Sequence, residues 1–484
     1  MGTISSAFSL VSGALDADQE ALNIVANNVA NASTTGYTRE TPTWQENDPV
    51  EINGVSYGTG VTETGATSVR DTVLEERLNQ QQQLASASSS RLTALDSVQD
   101  LFTVASSSSS SSTAGDIGTD LTSFFSSFSS LEANPTENSA RQEVLSSAKT
   151  LAGDVSSAAA SLNSQKSALD QDASGVTSQV NSLTSALAQL NTEIQSISPD
   201  GDAGTLEDQR QEDLSQLSKL IGINQISTSD NSLTITTTSG QLLVSGGTSN
   251  QLTTGKVNGV TDFFVGGTDI TSQLTSGGGE LGGYLTARDQ DIPSVLSSLD
   301  QLAYSVSTQV NALNNSGTDG NGTEGTGTNS AGVTGTGTTA LYIFNEPTQV
   351  SGSAAAMSVV MSDPSQIAAA GLGKGTGNST NATAMYNLST SSIVDNQTPT
   401  NYYSNFVSTL GATVSGVETE NTAQEASVTQ LQTQNDSLSS VNLNDEASSL
   451  STLERSYQAA SKVFSMLDTI MASALNLGEQ TTVS

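Results

Sequence analysis

The chain has 484 residues, with 49 acidic against 14 basic side chains, a formal net charge of -35, and neither cysteine nor histidine. Such a balance repels phosphate backbones and anionic headgroups, which argues against nucleic acid and membrane as partners, and the two missing residue types remove disulfides, thiol and imidazole chemistry and the usual zinc ligands. Aromatic residues make up only 4%, so apolar surface must be concentrated in narrow stripes rather than in broad aromatic cores.

The opening residues MGTISSAFSL lack the basic and continuous apolar regions of a cleaved signal. They begin an amphipathic helix with Ile4, Phe8, Val11, Leu15, Leu22, Val25 and Val29 in heptad positions and Asp18 in the one slot that should be apolar. The helix runs out at Asn27, Asn28 and Asn31, with Gly36 and Tyr37 just beyond. Two readings stand side by side: a helix C-terminus followed by a loop, or amides that bond to adjacent subunits in an assembly.

Proline breaks helices, and none occurs between 136 and 198. Within that window, steps of three and four from Leu145 to Ile197 meet an apolar or alanine residue every time except at Lys166, predicting a coiled-coil rod of roughly 80 Å at 1.5 Å per residue. Upstream, Ser106 to Ser112 form a polar tract read as a solvated loop. SPDGDAG, residues 198–204, predicts a turn, after which the helix resumes through Leu206, Leu214, Leu217 and Leu220. From Ile223 the period shortens: SLTITTT, QLLVSGG, DFFVGG and ITSQL predict a small antiparallel β-domain. A helix over 292–313 follows, then Gly/Thr/Asn-rich chain read as a flexible linker. ALYIF and AAMSVVM predict short strands, and helix returns after Asp395 through Phe406, Leu410, Val414 and Val417. The last helix repeats the three-four rhythm at Leu443, Leu450, Leu453, Tyr457, Ala460, Phe464, Leu467, Met471 and Ala474.

The fold class is therefore mainly α with a β-rich insert. A discontinuous terminal coiled-coil domain takes 1–40 and 441–484, and an elongated α-helical rod domain takes 41–221, 284–315 and 363–440. The outer antiparallel β-domain takes 222–283 and 340–362, and the linker 316–339. Both terminal stripes need a partner, because an isolated helix gains little in water; the expectation is that the ends become ordered only when copies assemble.

ANNVANASTTGY after an N-terminal amphipathic helix, and SVNLNDEASSLSTLERSYQAASKVFSMLDTIMASALNL near the C-terminus, resemble the paired signatures of the rod, hook and hook-associated axial proteins of the bacterial flagellum. NPTENSARQEVLSSAKTLAG, LEDQRQEDLSQLSKLIGI and GELGGYLTARDQDIPSVLSSLDQLAYSVSTQVNALN resemble the hook-associated members found at the hook-filament junction. The resemblance covers most of the helical chain and fades in the β-domain and linker; GEQTTVS, residues 478–484, runs past the signature.

What it implies is a secreted structural subunit, exported unfolded through the type III apparatus into the extracellular axial structure. The implied partners are further copies of the chain in a ring-like homo-oligomer, the hook protein, a second junction protein, and an export chaperone on the C-terminal helix. The polymerisation interface would consist of Ile4, Phe8, Val11, Leu15, Leu22, Val25, Val29, Asn27, Asn28, Asn31, Gly36 and Tyr37, together with Leu450, Leu453, Tyr457, Ala460, Phe464, Leu467 and Met471.

Nothing in the residues builds a competing site. Asp319, Asn321 and Glu324 lack the spacing of a calcium loop, Lys166 is a snorkelling stem at a bundle edge, and no serine stands beside a base. No catalytic, metal or cofactor residues are nominated. The alternatives are a secreted binding module, an adhesin or effector carried by the β-domain, or another hook or rod axial protein.

Overall fold

The structure is a computed structural model describing residues 2–52, 55–102, 116–198, 202–257 and 259–479. The serine tract 106–112, part of the 198–204 turn and the end of the GEQTTVS tail lie outside those residues. The chain begins with α1 (Gly2–Asn31), followed by an antiparallel ribbon in which β1 (Glu40–Glu46) pairs with β4 (Val61–Ser68) and β2 (Val50–Ile52) with β3 (Val55–Tyr57). This ribbon corrects the assignment of 41–68 to an all-helical rod. A bulge between Thr43 and Trp44 interrupts the alternation that would otherwise have marked it.

Four helices come next: α2 (Thr72–Gln99), α3 (Ile117–Ala133), α4 (Asn138–Ile197) and α5 (Thr205–Leu220). The proline-free stripe is a single 60-residue helix, about 90 Å long at 1.5 Å per residue. Asp71 caps α2 by accepting from the Val73 and Leu74 amides, satisfying donors that have no partner inside a first turn. All the stripe positions from Leu145 to Ile194 are buried except Lys166 and Leu183.

Two cores share α4. From Ala140 to Leu169 it packs in the first, which centres on Phe124, Phe125 and Phe128 of α3; from Ala173 to Ala188 it packs in the second, with α5 and the sheets. The sheets are β5 (Ile223–Ser227), β6 (Leu233–Thr237), β7 (Leu242–Ser245) and β8 (Thr248–Ser249) in that order, then β9 (Leu252–Val257), β10 (Val260–Val265) and β11 (Thr268–Asp269) with β10 central. Every pairing is antiparallel, and Ile235, Leu243, Val244, Phe263 and Val265 face the core. Two asparagines of α4 dock the sheets by imitating a strand edge: Asn191 donates to the Leu233 carbonyl at 2.8 Å and accepts its amide at 3.1 Å, and Asn181 does the same with Leu252, both at 2.8 Å.

Short helices α6 (Thr271–Thr275) and α7 (Gly279–Thr286) lead through a wide π-turn, Ala287–Asp291, into α8 (Ile292–Asn315). That turn carries Arg288, 1% exposed, which donates to Asp170 at 2.7 Å, Asp289 at 2.8 Å and the Thr261 carbonyl at 2.8 Å. Asp170 sits where the first core gives way to the second, so this buried charge ties the π-turn and β10 to α4 at that junction.

Residues 316–339 are less free than their composition suggests. Asn315 accepts from the Thr326 and Leu341 amides, Asp319 from the Asn321 and Thr323 amides, and Glu324 from Thr336, so side-chain carboxamides and carboxylates replace a ladder. A two-residue pair, β12 (Gly317–Thr318) with β13 (Ala370–Gly371), anchors one end. The segment 340–362 joins the first core, not the β-domain: Phe344 meets Phe124 at 5.5 Å between ring centroids, and Met357 and Met361 are buried nearby. ALYIF and AAMSVVM contribute only an isolated bridge, Phe344 to Val359, and the short helix α9 (Ser353–Ala356). The chain finishes with α10 (Thr380–Asn387), α11 (Pro399–Ser439) and α12 (Leu443–Glu479).

Candidate polymerisation interface

Within a single chain, α1 and α12 pair as an antiparallel hairpin. Phe8, early in α1, lies 4.3 Å from Phe464, late in α12, while Asn28 at the other end of α1 meets Glu446 at the start of α12. The two terminal stripes thus partner each other within one chain. Val11, Ala17, Ala21 and Val25 are buried, and α1 packs on β1 and β4 as well as on α12.

Of the nominated residues, Val11 and Val25 are buried, Phe8, Leu15 and Leu22 partly so, and Val29 is exposed; the Ile4 side chain lies outside the description. On α12, Leu450, Leu453, Ala460, Phe464, Leu467 and Met471 are partly buried and Tyr457 is exposed. A second apolar seam runs one position away. Val463, Met466 and Ile470 are 42, 59 and 52% exposed, and three-four spacing places them on a common face of the helix. Leu10 and Leu443 are exposed as well.

At the foot of the hairpin the asparagine signature is resolved into separate roles. Asn28, 1% exposed, donates to the Glu40 carbonyl at 2.8 Å and to Glu446 at 3.2 Å, and accepts from the Glu40 amide at 3.0 Å and the Tyr37 hydroxyl at 2.8 Å. Its hydrogen-bonding capacity is used inside the chain. Asn27 and Asn31 bond to each other at 2.8 Å on the surface. Gly36, at φ +81°, makes the reversal that brings Tyr37 back onto α1.

Past Tyr37 the chain is pinned to the body. The Thr38 amide donates to Asp208, the Arg39 amide to the Ser439 carbonyl, and Ser68 Oγ to Asp202; Arg70 pairs with Asp208 at 2.6 Å. So many acids beside one another have a predictable electrostatic result. Burial, then the charges of Glu40, Asp208 and Glu446, push the Tyr37 hydroxyl up from its ordinary value, and burial with Asp202 and Asp208 raises the Glu40 carboxyl against the opposing pull of Arg70. Tyr37 is thus held protonated, as a donor to Asn28.

Among the described residues, no group of three or more His, Cys, Asp or Glu side chains is placed to hold a metal ion, and no helix is long and apolar enough to cross a membrane. What the arrangement offers is a pinned two-helix projection with an uncovered apolar seam.

Comparison with known proteins follows the same outline. Residues 11–38 match the flagella basal body rod protein family, 105–329 the helical domain of flagellar hook-associated protein FlgK, and 432–477 the C-terminal region of flagellar basal body rod FlgEFG proteins. Flagellar hook-associated protein 1 of Salmonella typhimurium is 27% identical over 316 residues, 63% of this chain and 56% of that protein; its counterpart in Bacillus subtilis is 25% identical over 512 residues, 96% of each. The flagellar hook junction protein FlgK from Burkholderia pseudomallei has the same fold, with a TM-score of 0.61 and 19% identity over 74% of this chain and 99% of that one. With terminal rod signatures on the paired helices and the hook-associated helical domain between them, the chain is similar along most of its length to flagellar hook-associated protein 1.

Proposed function

We propose that this protein is a structural subunit of the bacterial flagellum that polymerises at the hook-filament junction through its terminal hairpin. The observation that carries the reading is the uncovered seam of Val463, Met466 and Ile470 beside a hairpin already closed on its other face. Burying such side chains is worth about 1.5–3 kcal/mol each before ordering costs, and a second copy presents the same helix to take up the exchange. Kinship with hook-associated protein 1 supports the location, because relatives carrying that name match along most of the chain.

The role is mechanical rather than catalytic. Its first partner is itself, in a ring-like homo-oligomer, with the hook protein on one side and a second junction protein on the other. Before assembly, a chaperone covers α12 while the chain passes through the type III apparatus to the extracellular axial structure. The reading as an adhesin or effector gains nothing from the β-domain's Ile235, Val244 and Phe263, which are packed in one core with α4 and α5.

Immunogold labelling of sheared flagella tests this reading directly. Label confined to the boundary of hook and filament is expected; label along the filament, or absent from the organelle, overturns it.

A further inference from the structure

Six methionines carry all the sulfur in this chain, which has no cysteine, and their surroundings divide them. Met357, Met361 and Met385 are 4, 5 and 0% exposed inside the first core. Met471 is partly buried on α12, and Met1 lies outside the described residues. Met466 stands apart at 59% exposed. Val463 three residues before it and Ile470 four after share its face of the helix. Two positions away, or about 200° around the axis, Phe464 packs on Phe8, so Met466 lies opposite the contact that closes the hairpin.

Exposure decides which thioether a small oxidant reaches. Hydrogen peroxide gives one oxygen atom to the sulfur: the O–O bond breaks, an S–O bond forms, the sulfur loses two electrons and water leaves. A flexible apolar side chain becomes a polar, chiral sulfoxide. On the free subunit that oxygen meets water, and the exposed Lys462, four residues before it, can donate to it. On a covered seam it would lie among Val463 and Ile470, and burying a polar group without a partner is costly. Oxidation therefore favours the free chain over the assembled one, the differential a switch requires.

We infer that Met466 is a peroxide-oxidation site whose sulfoxide keeps the chain unassembled; the effect on assembly rests on the polymerising role proposed above. A copy already in place covers its own sulfur, so peroxide acts on incoming subunits and spares those assembled.

The test treats the full chain with limiting hydrogen peroxide, maps it by peptide mass spectrometry and follows self-association by sedimentation velocity over a concentration series. Met466 should gain an oxygen well before Met357, Met361 and Met385, and the concentration needed for association should rise about tenfold or more. Methionine sulfoxide reductases acting on the two epimers should reverse both changes. M466L, whatever its own strength of association, should give the same value before and after peroxide, while M471L should stay sensitive. M466Q should associate as weakly as the oxidised chain with an unchanged melting temperature, an outcome that misfolding does not produce. Earlier oxidation of a core methionine, sulfoxide at Met466 without loss of association, or peroxide sensitivity that survives M466L overturns the inference and leaves polymerisation intact. Failure of the untreated chain to associate at any concentration overturns the polymerising role, and the order of oxidation then still decides the site.

Discussion

Asn28 and Glu446, 418 positions apart in the chain, meet at 3.2 Å at the foot of the terminal hairpin. The contact ties the N-terminal signature to the C-terminal one within a single molecule, and the same amide holds the returning strand through Glu40. Asn28→Ala should cost about 2–4 kcal/mol by leaving the Glu40 and Glu446 groups without their partner. Hydrogen exchange should show protection lost from α1 and the start of α12, with α3 and α4 unchanged.

The two seams of α12 should separate by substitution. Phe464→Ala removes the ring that packs on Phe8 and should lower hairpin stability by about 1–3 kcal/mol. Met466→Ala and Ile470→Ala, on the exposed face, should leave monomer melting within about 0.5 kcal/mol of wild type and act only on self-association. Melting curves and sedimentation on the same samples measure both.

Asp120 on α3 is pushed up to about 7 by burial, by a hydrogen bond with Asp154 and by the charges of Asp154 and Asp116. Since its ordinary value is 3.8, the folded state holds the proton more tightly than the unfolded one. The resulting stability is present below about pH 4 and is lost as pH rises through 7. Denaturant midpoints should therefore fall between pH 5 and 8, and Asp120→Asn should flatten that slope.

Arg288 is the cation shared between the cores. Arg288→Ala leaves Asp170 and Asp289 facing each other without it and should cost about 3–5 kcal/mol. Arg288→Met, which keeps the volume, should cost less. Hydrogen exchange at β6 and β10 compared with α3 would show whether the β-domain loosens before the helical bundle.

The helical architecture was legible because α4 announces itself by periodicity: one stripe of small and branched residues without proline. What periodicity does not report is which partner covers a stripe, so the intrachain pairing of α1 with α12 and the free face holding Val463 and Met466 emerged only from the structure. The ribbon over 40–68 had a local signal, Asn53-Gly54 between VEI and VSY, hidden by Pro42 and the bulge at Trp44. Residues 316–339 look like linker because their fixing bonds come from the Asn315, Asp319 and Glu324 side chains, which leave no trace in hydropathy. Phe344 was read as a strand residue because its partner, Phe124, is remote in the chain. In the asparagine signature, composition identified the right amides and could not distinguish Asn28, engaged inside, from Asn27 and Asn31 at the surface.

Because α4 is one unbroken helix through both cores, torque applied at the sheets reaches the phenylalanine cluster along a stiff shaft instead of dissipating in a joint. A molecule wired this way carries load between its two cores through one continuous backbone.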